Sequence, residues 1–231
     1  MKLLAIVLAR KNSKRLKNKH HLLIGNKSMI EYTFDFLKNL NFFENIIVST
    51  DDKKILSKVK KKYSNFIPFQ RSAKLSKDST DSYEVLISVY NLYKKKYSSV
   101  DGIFLFQPTS PFRKISTVKK MIKIFKLNRM KKSVVTVSKV KDHPEWMFYI
   151  KKNKMIKYKK NDAIRMSQYL KKIFIVNGLG YLLVPSDLKK QETTIPKNSI
   201  PLICETDHQI LDIDTKNDLD AARAFTKYFK L

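Results

Sequence analysis

Short apolar runs alternate along this chain with segments whose apolar residues recur at helical spacing. The runs end at turn residues, a pattern that predicts buried strands. We predict strands at Leu3 to Leu8, Ile46 to Ser49, Ile103 to Phe106, Val134 to Val137, Gly180 to Val184 and Leu211 to Ile213. Because helices separate these strands, the expected class is α/β, with a mainly parallel sheet between two helical layers.

The helical segments are identified by their apolar stripes and by their start signals. Ser28 and Glu31 form a capping box ahead of the stripe of Ile30, Phe34 and Leu37. We predict further helices through Ile55 and Val59, through Val85, Val89 and Leu92, from Thr117 to Phe125, and from Leu219 to Phe229. These stripes are expected to form core.

One segment, from His143 to Phe174, breaks this rhythm and mixes aromatic residues with lysines. We therefore expect a single domain over residues 1–231, with 143–174 as an inserted arm or lid. Trp146 to Tyr149 are four consecutive large side chains that an isolated excursion cannot easily bury. Exposed apolar patches of this kind mark contact surfaces, so we expect a homodimer through the arm.

The composition is strongly cationic. A formal net charge of +28, from 48 Lys+Arg against 20 Asp+Glu, attracts anions such as nucleotides, acidic sugars or nucleic acid. No apolar stretch approaches the ~20 residues that span a bilayer, so no membrane partner is expected. Cys204 is the single cysteine and excludes an internal disulfide, which favours a cytoplasmic protein.

A basic loop follows the first predicted strand. It runs from Ala9 to His20 and carries six Lys or Arg residues. Ligands of open α/β sheets bind beyond the carboxyl ends of the strands, so the loop indicates a polyphosphate cradle. It has neither the ATPase P-loop nor the dinucleotide glycine pattern. A basic surface loop in a lysine-rich chain is the alternative interpretation.

Two more polar loops follow predicted strands on the same edge. Ser49 to Asp52 ends the second strand, and Gln107 to Arg113 ends the strand Ile103 to Phe106. Prolines make the latter loop rigid, and its amide and hydroxyl groups can hydrogen-bond a polar ligand.

Asp212 and Asp214 are the candidate metal ligands. A strand period of two would place both carboxylates on one face. Mg²⁺ commonly binds one or two protein carboxylates and takes its other ligands from water and a polyphosphate. The alternative is a cap for the next helix, because Thr215 and Asp218 have the spacing of a helix start.

Together, these motifs resemble the acylneuraminate cytidylyltransferases, which activate sialic acid and related nonulosonic acids as CMP-sugars. The matches cover nearly the whole chain in the family order: Leu8 to Lys14 with Lys19, Ser49 to Asp51, Arg71 with Leu75 and Asp78, Gln107 to Pro111, Asn177 with Gly178, and Asp212 to Thr215. The resemblance implies a Rossmann-like sandwich and an arm that exchanges contacts within a dimer.

The resemblance also implies roles for individual residues. Arg10, Lys14 and Lys19 would be the catalytic cations on the CTP phosphates. Other CTP-binding positions would be Leu8, Ala9, Asn12, Ser13, His20, Arg71 and Ser82. The acidic sugar would contact Gln107, Thr109, Ser110, Arg165, Asn177 and Gly178. Asp212 and Asp214 would hold Mg²⁺.

Several residues depart from the family pattern. His20 stands where the family usually has asparagine near the cytosine. Arg15 replaces a glycine of the sialate enzymes, and Arg165 lies two residues before a common arginine position. Apolar residues flank Asn177 at positions 175, 176 and 179, which favours a deoxygenated nonulosonic acid.

The implied reaction transfers CMP from CTP to the anomeric hydroxyl of an acidic nine-carbon keto-sugar and releases pyrophosphate, as in cell-surface polysaccharide biosynthesis. Alternatives within the class are cytidylyltransferases for pseudaminate, legionaminate or 3-deoxy-octulosonate. A basic nucleic-acid-binding protein is the alternative from another class, but no recognised binding motif supports it. None of the four histidines stands out as a general base; His20, His21, His143 and His208 are expected to be hydrogen-bonded surface residues.

Overall fold

A seven-stranded mixed sheet forms the centre of the computed structural model, which describes residues 1–159, 168, 170–205 and 209–229. The strands of this chain are β1 Leu3–Leu8, β2 Leu23–Ile24, β3 Lys27–Ser28, β4 Asn45–Thr50, β5 Phe66–Gln70, β6 Gly102–Phe106, β7 Val134–Lys139, β8 Phe148–Lys151, β9 Lys154–Lys157, β10 Phe174–Leu183 and β11 Ile200–Ile203. The order in the main sheet is β11-β7-β10-β6-β1-β4-β5. Its pairings are parallel except at β10, which is antiparallel to both β6 and β7.

Helices cover both faces of this sheet. They are α1 Met29–Lys38, α2 Lys53–Lys62, α3 Ser82–Lys96, α4 Ile115–Leu127, α5 Pro185–Gln191 and α6 Lys216–Phe229. Strand β1 shows why the layers form, because its buried side chains alternate between faces. Leu3, Ala5 and Val7 join a cluster with α1, α2 and α4. Leu4 and Ile6 join a second cluster with α3 and α5. The predicted three-layer class is confirmed.

A third apolar cluster lies beside the sheet and supports the site described below. Ile24 from the β2–β3 hairpin, Phe112 from the loop after β6, and Leu219 from α6 meet there around Ile213. The cluster fixes three loops against each other, so that polar residues next to Phe112 and Ile213 have defined positions.

Some element predictions were wrong. Leu211 to Ile213 is an irregular segment and not a strand. The Ile213 N–H donates to the carbonyl of Thr109, which lies in the loop after β6 and not in a strand. The apolar stripe of α3 continues through Tyr93, whereas Leu92 is 49% exposed. Strands β5 and β11 were not predicted, and β10 begins at Phe174 and not at Gly180.

The segment 143–174 contains β8 and β9, which pair with each other and not with the main sheet. Large apolar side chains of this hairpin are exposed, among them Phe148, Ile150 and Met155. That this segment is a dimerisation arm stays a prediction. Among the described helices, none combines the length and apolarity needed to cross a bilayer.

Candidate active site

A cleft of about 440 Å³ opens at the carboxyl ends of β1 and β6. The basic loop after β1, Arg71 after β5, the start of α3 and the loop after β6 all line it. From the predicted CTP-binding set, the cleft contains Leu8, Arg10, Asn12, Ser13, Lys14, Lys19, His20, Arg71 and Ser82, and from the sugar set Gln107 and Thr109. Ala9 is fully buried; its backbone N–H donates to the Ser49 carbonyl at 3.0 Å and fixes the start of the loop.

Two carboxylates hold the cations of the basic loop in place. Asp78 accepts from Arg10 at 2.7 Å and from Lys14 at 3.0 Å. Asp214 accepts from Lys19 at 3.1 Å and from Arg15 at 2.5 Å. Lys14, and next Arg10, hold the pKa of Asp78 below its usual value. The cradle is therefore a set of positioned charges whose mutual repulsion is partly neutralised.

The base of the same loop is fastened to the end of β4. The Lys11 N–H donates to the Asp51 carboxylate at 2.7 Å. His21 Nε2 lies 2.7 Å from the buried carboxylate of Asp52, which also caps α2 through the Lys54 N–H. The short helical turn Lys19–His21 is thereby held against β4, with the neighbouring His20 in the wall of the cleft.

His20 and Arg71 form a buried polar wall. His20 is 4% exposed, and its Nδ1 has no hydrogen-bond partner. Burial, with the charge of Lys19 adding to it, lowers the pKa of His20 to about 3, so the ring is neutral at physiological pH. Arg71 is 7% exposed and donates to the Ser49 carbonyl at 3.0 Å. The expectation that the histidines lie on the surface was wrong for His20 and also for His143, which is 9% exposed.

On the other side, a bulge in β10 brings Asn177 and Gly178 to the loop after β6. The register of β10 against β7 shifts between Val176 and Tyr181. Gly178 has φ +75°, and a Cβ there would lie 3.2 Å from both Gln107 Oε1 and Ser110 Oγ. Ser110 Oγ and Asn177 Nδ2 are buried without a partner. Unpaired buried polar atoms are rare, so this convergence indicates a ligand subsite.

The acidic pair lies next to this subsite. The Ile213 N–H donates to the Thr109 carbonyl at 2.8 Å, and the Ile213 side chain is buried. Asp212, on one side of Ile213, lies close to Gly178, with its Cγ 3.8 Å from the position of an added Cβ. Asp214, on the other side, bonds Lys19.

The charge of Asp214 acts on the carboxyl of Asp212. Asp212 is an exposed residue. Partial burial nevertheless raises the pKa of its carboxyl, a hydrogen bond from Thr109 opposes the shift, and the charge of Asp214 adds to it. The helix cap is a separate feature, because Asp218 accepts from the Thr215 N–H at 2.7 Å and donates its own N–H to Thr215 Oγ1 at 3.3 Å. The capping interpretation thus applies to Thr215 and Asp218, and it leaves Asp212 and Asp214 beside the cleft.

Sequence reasoning missed Arg113 and did not assign a role to Asp78. Arg113 is 9% exposed and bonds three segments around the sugar side of the cleft. A basic residue directly after the apolar Phe112 in a proline-bounded turn was the available signal. Arg165, predicted for the sugar, and His208 lie outside the described residues. Within the described residues, no group of three or more His, Cys, Asp or Glu side chains forms a metal cluster.

Comparisons with known proteins agree with this geometry. A family model described as cytidylyltransferase matches residues 4–177. The chain is 30% identical to the CMP-N,N'-diacetyllegionaminic acid synthase of Legionella pneumophila over 219 residues, covering 94% of this chain and 93% of that protein. It is 25% identical to the N-acylneuraminate cytidylyltransferase of Escherichia coli over 237 residues, covering 96% of this chain and 51% of that protein. A solved CMP:2-keto-3-deoxy-manno-octonic acid synthetase complexed with CTP has the same fold, with a TM-score of 0.72 at 14% identity, covering 99% of this chain and 100% of that chain.

Proposed function

This chain belongs to the cytidylyltransferase family, and from that premise we propose that it transfers CMP from CTP to the anomeric hydroxyl of a nonulosonic acid and releases pyrophosphate. The observation that carries the proposal is the composition of one cleft. Positioned cations lie beside a buried polar wall that contains the neutral imidazole of His20. On the other side of the cleft, next to Gln107, lie the buried unpaired atoms of Ser110 and Asn177. These three parts correspond to a triphosphate, a nucleobase and a hydroxyl-rich acid.

The chemistry requires positioning and charge neutralisation. The anomeric oxygen attacks the α-phosphorus of CTP in line, a new C–O–P link forms, the bond to the β-phosphate breaks, and the hydroxyl proton is lost. Arg10, Lys14 and Lys19 would stabilise the charge that develops on the phosphate oxygens. In the present arrangement Asp78 bonds Arg10 and Lys14, so the triphosphate would replace Asp78 as the partner of these two cations.

The acidic pair fits Mg²⁺. Asp212 and Asp214 offer carboxylate oxygens next to the phosphate cradle, and this donor set suits a cation that takes one or two protein carboxylates. Burial raises the pKa of Asp212, and the charge of Asp214 adds to the shift, so a bound cation would stabilise the anionic form of this carboxyl. When bound, Mg²⁺ would neutralise phosphate charge. Asp212 and Asp214 would hold it, while Lys19 would orient Asp214 through their 3.1 Å contact.

His20 and Arg71 would contact the base in this proposal. A neutral imidazole has one donor and one acceptor nitrogen, which can match the edge of cytosine. Because the ring cannot protonate near pH 7, its hydrogen-bonding pattern does not change there. The same low pKa argues against His20 as a general base.

The acceptor would bind at the subsite formed by Gln107, Ser110 and Asn177. These residues offer uncharged hydrogen-bonding groups, which suit the hydroxyl and acylamino groups of a nonulosonic acid. The relative with 30% identity is named for N,N'-diacetyllegionaminic acid, and we propose a deoxygenated acid of that kind over N-acetylneuraminic acid. Of the apolar residues that flank Asn177, Leu179 is buried, whereas Ile175 is 58% exposed at the start of β10. Val176 is partly buried, so any apolar contribution to the pocket would come from Val176 or Leu179.

We also propose a cytoplasmic homodimer. The lone cysteine, Cys204, fits a reducing compartment, and the exposed apolar hairpin of β8 and β9 fits a contact with a second copy. A single domain with this inserted arm is the organisation that we infer.

The direct test is pyrophosphate release from each of the four nucleoside triphosphates with N-acetylneuraminic, legionaminic, pseudaminic and 3-deoxy-octulosonic acids. We expect turnover with CTP and a nine-carbon acid, with Mg²⁺ required. Turnover with all four triphosphates, or with none, would contradict the proposal. Oligonucleotide binding that weakens steeply with salt, in the absence of any turnover, would instead support the nucleic-acid alternative.

A further inference from the structure

We propose that Arg113 is a positioning residue for the acceptor side of the cleft, where it joins the loop after β6 to the bulge in β10. The inference deepens the proposed function and rests on it for the identity of the acceptor. Arg113 is not one of the residues to which the sequence analysis assigned a role.

Its guanidinium bonds three separate segments. Nε donates to the Leu179 carbonyl at 2.8 Å, a terminal nitrogen donates to the Gln107 carbonyl, and the other donates to Thr33 Oγ1 at 3.2 Å. The same group lies over the Phe106 ring, 5.4 Å from its centroid. A planar fork with fixed donors can hold several acceptors at once, which a lysine ammonium does less well.

The segments that it joins carry the acceptor subsite. Gln107 and Ser110 lie in the loop after β6, and Asn177 and Gly178 lie in the bulge that ends at Leu179. The unpaired atoms Ser110 Oγ and Asn177 Nδ2 belong to these two segments. From Asn177 to Gly180, β10 makes no ladder pair with β6 or β7, so side-chain hydrogen bonds hold the bulge there. The Gly180 N–H donates to Thr136 Oγ1 at 3.0 Å, and Arg113 Nε donates to the Leu179 carbonyl.

The burial of Arg113 supports a positional role. Within the described residues it makes no ion pair with a carboxylate, although it is only 9% exposed. Burial lowers the pKa of the guanidinium, yet an arginine stays protonated at neutral pH. A buried charge is costly unless it is hydrogen-bonded. Here the hydrogen-bond partners are uncharged oxygen atoms, and the charge of Asp212 also acts on the guanidinium. A smaller apolar residue would avoid this cost, but it could not join the two segments.

The test compares Arg113→Met and Arg113→Lys with Arg223→Met, a matched control. Arg223 also donates to a backbone carbonyl, that of Leu23 at 3.1 Å, and lies on α6 away from the cleft. For Arg113→Met we expect kcat/KM for the acceptor to fall by ~100-fold, the loss that a misplacement of about 1 Å causes. The Kd for CTP measured by calorimetry should stay close to that of the unmodified chain. Arg113→Lys should recover part of the loss, and Arg223→Met should change neither quantity.

Hydrogen exchange gives a readout that does not need the acceptor. Amides of residues 107–110 and 177–180 should exchange faster in Arg113→Met than in Arg223→Met. If the unmodified chain turns over no acceptor, the proposed function fails, while the exchange data still decide whether Arg113 joins the two segments. Unchanged exchange in both segments would overturn the inference, as would equal losses of CTP and acceptor binding. If Arg113→Met does not fold, Arg113→Lys carries the test, because it keeps the charge and loses the planar fork that joins the Gln107 and Leu179 carbonyls. Unchanged exchange and unchanged acceptor kinetics in that variant would overturn the inference too.

Discussion

Gly178→Ala is expected to damage the acceptor subsite more than it damages the fold. Gly178 has φ +75°, and an alanine in this left-handed region loses ~1–2 kcal/mol of stability. Its Cβ would also lie 3.2 Å from Gln107 Oε1 and from Ser110 Oγ, closer than the ≈ 3.5–4.0 Å of an ordinary contact between carbon atoms. Both polar groups would therefore have to move by a few tenths of an ångström.

Gly25 provides a matched control for the stability that alanine loses at a positive φ. It has φ +64°, and a Cβ there would lie 3.6 Å from Thr226 Oγ1 and 3.7 Å from the Tyr32 hydroxyl, which are ordinary contacts. Gly25→Ala should lose a similar ~1–2 kcal/mol through the same conformational strain. The difference between the two variants isolates the effect of crowding in the subsite.

Urea denaturation and steady-state pyrophosphate release, with the acceptor varied at saturating CTP, measure the two effects separately. We expect similar stability losses in both variants. For the acceptor, Gly178→Ala should lose roughly 10-fold in kcat/KM, part of the ~100-fold loss that follows a 1 Å misplacement. If Gly178→Ala retains the acceptor kinetics of Gly25→Ala, the subsite does not lie at Gly178 and the reasoning is refuted.

Four other predictions test the remaining parts of the site. Lys14→Ala should lower kcat by ~100-fold, or roughly 2.7 kcal/mol, with a smaller rise in KM for CTP; an unchanged kcat would make Lys14 a surface residue. Asp212→Asn and Asp214→Asn should abolish pyrophosphate release and leave the circular dichroism spectrum intact, whereas normal rates at saturating Mg²⁺ would contradict a metal role. His20 has a pKa of about 3 in the folded chain, below its value in the unfolded chain. Protonation of the unfolded chain should therefore lower the free energy of unfolding by ~1.4 kcal/mol per pH unit as pH falls from about 6 towards 4. Denaturation at several pH values should show a smaller decrease in His20→Asn, and the same dependence of stability on pH in both proteins would refute the neutral ring. Sedimentation at micromolar concentration should show a dimer through the arm that contains Trp146 to Tyr149, and a monomer would count against that surface.

The sequence predicted the sheet well where local pattern and tertiary environment agree. Strand β1 has the predicted bounds Leu3–Leu8 because every residue before Leu8 is buried, which gives an uninterrupted apolar run. The capping box of Ser28 and Glu31 forms as expected, with the Ser28 N–H donating to Glu31 at 3.0 Å. Strand β5 was missed because Pro68 interrupts its apolar run, and the edge position of β5 is what makes a proline acceptable there.

The site was predictable in its charges but not in its pairings. Motif spacing brought the basic loop and Gln107 to one edge of the sheet, since the parallel strands β1 and β6 end there together. Asp212 reaches the same edge without a strand, because the Ile213 N–H donates to the Thr109 carbonyl. Sequence could not show that Asp78 and Asp214 each hold two cations, because these pairs join residues far apart in the chain. The same limit applies to Arg113, whose three partners come from separate elements.

These pairings explain how a highly cationic loop can hold a defined conformation. Arg10 and Lys14 share Asp78, which is 43% exposed, and Arg15 and Lys19 share Asp214, which is 25% exposed. Since Asp78 is the more exposed carboxylate, a triphosphate can displace it into water without leaving a buried charge unpaired. Asp214 is less exposed, at 25%, and its charge acts on Asp212, so losing Lys19 to the phosphates would leave two neighbouring carboxylates short of a countercharge. The phosphates should therefore exchange with Asp78 first, while the Lys19–Asp214 pair remains as the fixed connection between the nucleotide loop and the acidic pair.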